Sequence, residues 1–326
     1  MSKIEQSWYR PVSLITLLLL PLSGVFWLIS TLRKQLYKSG VLQQFNCNIP
    51  IIVVGNISVG GNGKTPFVLW LYNYLTEQGL SVGIISRGYG GKSAHYPLLV
   101  NQHSCSAEAG DEPILLYHRL KCPLAVGPNR QHNIALLEKQ FQLDVIISDD
   151  GMQHYKMPRS IECCIVDSVR RFGNGLLMPA GPLRETKQRL NSVDIVIENG
   201  GDAPCNYQLQ AGKLKTVATN LPAAQPVLAG HAVSAIGNPQ RFEQSLQAQG
   251  ITVLSTHHYR DHYAYSADDF TQFAQQPVLM TEKDAVKCRR FAQPNWYYLP
   301  VDAKPSAAVI NQLNLLLTQK GILNGL

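Results

Sequence analysis

The residues Gly60-Gly61-Asn62-Gly63-Lys64-Thr65 come just after the apolar run Ile51-Ile52-Val53-Val54 and just before Pro66 and a helix-forming stretch. A strand, a glycine-rich loop, Lys-Thr and a helix start, in that order, form a cradle for a polyphosphate. The glycines admit positive φ, so successive N–H groups can converge on phosphate oxygens at a helix N-terminus. Lys64 adds a mobile charge for β- and γ-phosphates, and Thr65 adds a hydroxyl suited to Mg²⁺. Pro66 fits a first helical turn, where its missing N–H is not needed. Ser58 stands where G-x-x-x-x-G-K-[ST] has its first glycine, so the tighter match is G-G-x-G-K-T. The expected nucleotide-binding loop is Ser58, Val59, Gly60, Gly61, Asn62, Gly63, Lys64 and Thr65. An ordinary strand-to-helix turn would use the glycines but has no need of Lys64 and Thr65.

Apolar runs recur at 51–55, 82–86, 144–148, 161–166 and 194–198 with helical stretches between them. They predict an α/β fold, a mostly parallel sheet wound with helices, whose ligands sit beyond the carboxyl ends of the strands. Polar motifs fall at those ends. The run 144–148 closes on Asp149-Asp150-Gly151-Met152-Gln153-His154. Two adjacent carboxylates at a buried strand end repel without a cation, and a Walker-B aspartate reaches its metal from such a place. Arg87-Gly88-Tyr89-Gly90-Gly91 ends the run 82–86 as a flexible basic loop, either a cover for phosphates and acceptor or a simple glycine turn. Asp111 and Glu112 precede a helical stretch, where Asp111 is either a helix cap or a chemical group. The polar loops 170–175 and 179–185 have the irregularity of ligand-contact segments.

With 326 residues and 45% hydrophobic content, the chain can bury a sizeable core in two domains. Pro204, Pro222 and Pro226 mark an entry into a second, smaller α/β unit with apolar runs at 227–236, 251–255 and 277–280. The expected organisation is an N-terminal membrane anchor helix with basic flanks over 1–40, a P-loop nucleotide-binding domain over 41–215, and a C-terminal α/β domain over 216–326 closing over the cleft. The second unit carries His257-His258-Tyr259-Arg260-Asp261-His262-Tyr263 and then Thr281-Glu282-Lys283-Asp284. An Asp261–His262 pair there could act in catalysis by facing the first domain across a cleft, but taken alone an exposed surface loop accounts for the run better.

The net charge is +7, and residues 1–40 hold +4 of it, from Lys3, Arg10, Arg33, Lys34 and Lys38 against Glu5. This basicity flanks an uncharged apolar segment over 11–31, which favours an anionic membrane surface over nucleic acid. No basic stripe interleaved with aromatics of the single-strand-binding kind is present. The segment is long enough to cross the hydrocarbon core. Pro21, Ser23 and Gly24 also allow a helix lying in the interface; the uncharged length favours crossing. No small-x-small cleavage site precedes Arg33, which argues against a secretory signal. The seven cysteines show neither C-x-x-C nor metal spacing, as suits a reducing compartment.

The chain resembles the tetraacyldisaccharide 4′-kinases along nearly its whole length. The resemblance rests on the ordered series Gly60-Gly-Asn-Gly-Lys-Thr-Pro66, Ser86-Arg-Gly-Tyr-Gly-Gly91, Gly110-Asp-Glu-Pro113, Asp149-Asp-Gly-Met-Gln-His154, Arg171-Phe-Gly-Asn-Gly175, Pro179-Ala-Gly-Pro-Leu-Arg-Glu185 and Thr281-Glu-Lys-Asp284, behind an apolar N-terminal helix. It implies transfer of the γ-phosphoryl of ATP to the 4′-hydroxyl of a tetraacylated glucosamine disaccharide 1-phosphate, with Mg²⁺, at the inner face of the cytoplasmic membrane. Lys64 and Thr65 then match the phosphate and Mg²⁺ ligands, and Asp149, Asp150 and Glu185 the acidic residues around the metal. Asp111 matches the base for the sugar hydroxyl and His262 its partner; the family often has Pro-Asp-His-His where this chain reads Arg260-Asp-His-Tyr263, which leaves His257 and His258 as alternatives. Arg87, Glu112, Gln153, Arg171, Asn174 and Arg184 fall in motifs that would line the acceptor site. Arg119, Arg170, Arg171, Arg184 and Arg189 are candidates for the acceptor's 1-phosphate. The expected partners are the lipid A precursor and membrane lipids, with no nucleic acid and no obligate protein partner.

The leading rival is a membrane-recruited regulatory ATPase, which shares the G-G-x-G-K-T loop but normally has a lysine where this chain has Val59. A GTPase is disfavoured, because Lys283 and Asp284 are adjacent and do not form N/T-K-x-D. A membrane scaffold would leave the strand-end carboxylates without a purpose.

Overall fold

The computed structural model describes residues 3–10, 12–273 and 275–323. The chain begins with a short helix α1 (Lys3–Ser7) and the long helix α2 (Leu14–Lys38). Ser13 and Thr16 cap α2 reciprocally, each side chain accepting from the other's backbone N–H. Leu14, Leu18, Leu22, Val25, Ile29 and Leu32 recur every three or four residues and are all exposed, forming one apolar stripe. Another side of the helix is docked. Ser23 Oγ donates to Leu177 O at 2.9 Å and accepts from Ala180 N at 3.0 Å, and Tyr37 stacks on Tyr155. Those two attachment points lie about 21 Å apart along the axis. Among the described residues α2 alone is long and apolar enough to cross a membrane. This docking joins one side of α2 to the body, and only 11% of its apolar window is buried.

The first body follows as β1 (Ile51–Gly55), α3 (Lys64–Glu77), β2 (Val82–Ser86), β3 (Leu98–Leu99), α4 (Ser106–Ala109), α5 (Asp111–Leu120), β4 (Leu124–Val126), α6 (Arg130–Gln140), β5 (Val145–Asp149), β6 (Ile161–Asp167), β7 (Ile195–Asn199) and β8 (Asn206–Ala211). The second holds β9 (Lys215–Thr216), β10 (Ala229–Ser234), α7 (Pro239–Ala248), β11 (Thr252–His258), β12 (Val278–Thr281), α8 (Glu282–Cys288) and β13 (Trp296–Leu299), before β14 (Val301–Pro305) and α9 (Ala307–Gln319). The nine-stranded sheet runs β14-β8-β7-β6-β1-β5-β2-β4-β3, parallel except at its two edge strands. The five-stranded sheet runs β11-β10-β12-β13-β9, parallel except for β9.

Central strand β1 is buried on both faces, with Ile52 opposite Ile147 of β5 and Ile161 of β6, which is why it reads as an unbroken apolar run. Phe67, Leu71 and Leu75 of α3 cover one face, and Ile134 and Leu137 of α6 the other. From β1 the chain moves to β2 on one side and later crosses from β5 to β6 on the other. A crevice opens at that reversal, beyond the carboxyl end of β1.

The domain boundary differs from the sequence expectation of one unit over 216–326. β14 pairs antiparallel with β8, and α9 sends Val309, Leu313 and Leu317 into the core of the first body. The apolar spacing of α9 specifies a buried stripe but not which sheet it covers. The second body is therefore an insertion between β8 and β14.

Candidate active site

The phosphate loop is shaped by its neighbours. Gly60 has φ 112° and Gly63 φ 83°. A Cβ on Gly63 would lie 2.1 Å from Asn199 Nδ2 and 2.6 Å from Tyr207 Oη, so glycine is required there twice over, by conformation and by space. Tyr207 Oη donates to Gly63 O at 2.6 Å, and Asn199 Nδ2 to Asn62 O at 3.1 Å. Ser58 replaces the usual first glycine with a function of its own: its Oγ accepts from Asn62 Nδ2 at 2.9 Å. The loop 179–185 backs the cradle, with Val59 N donating to Pro182 O and Arg184 N to Ile57 O.

Lys64 Nζ lies 3.3 Å from Asp150 Oδ1 and 3.4 Å from Asn56 Oδ1. Burial would push Asp150 up, but Lys64 and Arg184, the latter at 3.0 Å, outweigh it and hold the carboxyl well below its ordinary range. Asp149 is the opposite case. It is fully buried, which raises its pKa, and the nearby Glu112 charge raises it further against the pull of Lys64. Ser86 Oγ donates to Asp149 Oδ2, while Oδ1 has no hydrogen-bond partner among the described residues. Two neighbouring aspartates thus differ in kind: Asp150 is neutralised by bases, and Asp149 has a bare oxygen. Arg130, which sequence reading missed, donates to the Asp149 carbonyl at 3.0 Å.

Asp111 is the first residue of α5, with Gly110 rather than Asp111 at the cap position. Its Oδ2 lies 3.0 Å from His262 Nδ1, across the two bodies. An ionised Asp111 can only accept, so Nδ1 donates in this bond, and Nε2 lies on the other side of the ring. Lys283 of α8 reaches that side of the ring, 3.4 Å from Nε2, 3.3 Å from Glu112 Oε1 and 3.2 Å from Asp261 Oδ1. Burial alone would lower its pKa, but Glu112, Asp261 and Asp111 reverse the direction and keep the ammonium charged. Tyr89, from the glycine loop after β2, packs on the His262 ring at 4.9 Å. Among the three histidines of this run, His262 meets Asp111; His257 bonds to Ser255, and His258 to Glu243.

The remaining sequence candidates divide. Gln153 and Arg184 join the Lys64–Asp150 network, Gln153 donating to Asn56 O and Glu185 and accepting from Arg184. Glu185 is turned toward Tyr155, Gln153 and Arg189. Arg87 is exposed at the crevice, with no ion pair among the described residues. Arg171 pairs with Glu198, and Asn174 bonds within its own loop to Ala180 O and Leu176 N, so neither is brought to the phosphate loop. No three His, Cys, Asp or Glu among the described residues form a ready cation cage. Asn56, Asn199, Tyr207, Lys283 and Lys287 were missed as participants. Of these only Lys283 left a trace, through its place in the Thr281–Asp284 motif.

Residues 15–318 match the family model described as tetraacyldisaccharide-1-P 4′-kinase. The chain is 74% identical over 326 residues, all of both chains, to the tetraacyldisaccharide 4′-kinase of Pseudoalteromonas translucida (strain TAC 125). It is 52% identical over 309 residues to that of Psychromonas ingrahamii, covering 94% of this chain and 96% of the relative. The crystal structure of LpxK from Aquifex aeolicus in complex with ATP superposes with a TM-score of 0.79 at 28% identity, over 94% of this chain and 99% of that one. Given this agreement over nearly its whole length, the chain belongs to the tetraacyldisaccharide-1-P 4′-kinase family.

Proposed function

We propose that the chain transfers the γ-phosphoryl group of ATP to the 4′-hydroxyl of a tetraacylated glucosamine disaccharide 1-phosphate, a lipid A precursor, at the cytosolic face of the inner membrane. The observation that carries this reading is the Asp111–His262 pair. A hydrogen-bonded proton acceptor, assembled from both bodies at the crevice of a phosphate loop, suits a hydroxyl acceptor and has no use in a regulatory ATPase.

The loop N–H groups and Lys64 hold the β- and γ-phosphates. The sugar hydroxyl is neutral at working pH, and the Asp111–His262 pair takes its proton as the new P–O bond forms. Since the partners sit on different bodies, separation of the bodies breaks the pair, which restrains transfer to water. Asp150 and Arg184 align Lys64 before the nucleotide arrives. For Mg²⁺, the bare Asp149 Oδ1 and the Thr65 hydroxyl are hard oxygen donors that fit, while Asp150 and Glu185 are already balanced by Lys64, Arg184 and Arg189. When bound, the ion draws charge from the phosphate oxygens. The apolar stripe of α2 rests in the membrane interface beside the body, with Arg33, Lys34 and Lys38 at anionic headgroups.

The test is transfer of labelled γ-phosphate from Mg-ATP to the tetraacyl disaccharide 1-phosphate in detergent micelles, with Lys64→Ala alongside. Labelled lipid that disappears in the variant supports the kinase. ATP hydrolysis that ignores lipid and labels none of it assigns the regulatory ATPase instead.

A further inference from the structure

Four of the five arginines considered for an acceptor phosphate are already matched. Arg119 pairs with Glu282 and Asp302, Arg171 with Glu198, Arg184 with Asp150, and Arg189 with Glu162 and Glu185. Arg170 makes no ion pair among the described residues. Its neighbour Asp167 spends its carboxylate on the backbone N–H groups of Val169 and Arg170 and on Arg241. The Arg170 guanidinium lies over the Tyr9 ring at 5.4 Å and donates to Gly237 O of the second body. Its Nη1 is 3.7 Å from where a side chain on Gly60 would begin, and Gly237, by the same measure, is 3.5 Å from Gly61 N. The cation is therefore pressed against the phosphate loop itself. It arrives from the loop after β6, whereas Asp111 lies on the β2 and β4 side, so the two flank the cradle from opposite sides. A cavity of about 570 Å³, bordered by Tyr9, Arg10, Arg170 and Asn174, opens at this point.

We propose that Arg170 is a charge-stabilising arginine supplied in cis, donating to the phosphate oxygens on which negative charge accumulates during transfer. As the bond from the γ-phosphorus to the bridging oxygen breaks, its electron pair stays on ADP. The new bond forms to the sugar 4′-oxygen, whose proton goes to the Asp111–His262 pair. Arg170 takes no part in the proton transfer; its guanidinium acts only as a hydrogen-bond donor. Its planar fork can bond two oxygens at once, and an unpaired guanidinium loses no carboxylate partner in doing so. Tyr9 and Gly237 hold it from the N-terminal segment and the second body, so its aim depends on both being seated.

This inference rests on the kinase reading. The full-length chain and its Arg170→Ala and Arg170→Lys variants should be assayed in micelles for kcat and for both KM values, with calorimetric binding of a non-hydrolysable ATP analogue. Arg170→Ala is expected to lose about a thousandfold in kcat, on the scale of arginines supplied to other phosphoryl transfers. Its lipid KM and analogue affinity should stay within about threefold of wild type. Millimolar guanidinium should restore part of the Arg170→Ala rate and none of the Lys64→Ala rate, and Arg170→Lys should remain poor. An unchanged kcat with a raised lipid KM would overturn the inference and place Arg170 on the acceptor's 1-phosphate. Lost analogue affinity without guanidinium rescue would overturn it in favour of a ground-state or structural contact. Wild-type protein that labels no lipid overturns the kinase reading itself, and the inference with it.

Discussion

In the phosphate loop, the groups that meet the ligand come from consecutive residues, and most are backbone N–H groups. The Asp111–His262 pair joins side chains 151 positions apart, on separate bodies. The loop is held from beneath by Tyr207, Asn199 and Pro182 of its own body. The pair instead sits where α5 docks on the second body, and Lys283 and Lys287 of α8 tie it in place. The first arrangement is completed by contacts within one body. The second exists only while two bodies meet, so binding of the nucleotide and chemistry on the acceptor can be disturbed separately.

That separation is open to test. Asp111→Ala should lower the transfer rate about a thousandfold, within the usual range for losing a proton acceptor, and leave the affinity for an ATP analogue unchanged. A matching loss of affinity would merge the two regions into one. Gly63→Ala should act the other way. It forces a side chain into a positive-φ position already filled by Asn199 and Tyr207, and urea unfolding should show a loss of about 3 kcal/mol together with weaker nucleotide binding. Tyr207→Phe removes only the hydrogen bond to Gly63 O, and should cost about 1 kcal/mol in the same measurement.

The smallest effect concerns pH at the contact between the bodies. Burial lowers His118 of α5 from 6.5 to about 4, and Arg289 of the second body and Lys121 add to it. Above 6.5 the imidazole is neutral in both folded and unfolded chains, and its contribution is complete. As pH falls from 6.5 toward 4, the unfolded chain binds a proton that the folded chain refuses, and stability drops. His118→Gln should flatten this part of the stability profile. His154, also lowered to about 4 by burial, will keep a residual slope.

The loop and the strand-end acids were legible because their determinants are local. Five strands of the first body and its central glycine loop are written as apolar runs ending in polar residues, and Asp149 and Asp150 stand out for that reason. The difference between those two aspartates was not legible. It depends on Lys64 and Arg184 reaching one of them and burial isolating the other. Likewise Glu185 shares a motif with Arg184 but turns away toward Tyr155 and Arg189, a matter of packing that spacing does not encode. Strand β4 is only three residues long, and β8 mixes one fully buried tyrosine with exposed polar residues, so neither has a strong period. Tyr207 and Asn199 act on backbone carbonyls, and such contacts leave no pattern in the chain. The choice of His262 among three nearby histidines required the docking of α8 on α5.

The second body leaves the first at Gly212 and returns at Pro300, whose backbone atoms bond to each other at 2.9 Å next to the pairing of Ala211 with Val301. In engineering terms, this is a socket. A short reverse turn can close the gap between β8 and β14, freeing a nucleotide-binding module that keeps its whole sheet. A different acceptor-reading module can be grafted at the same two positions without recutting the cradle.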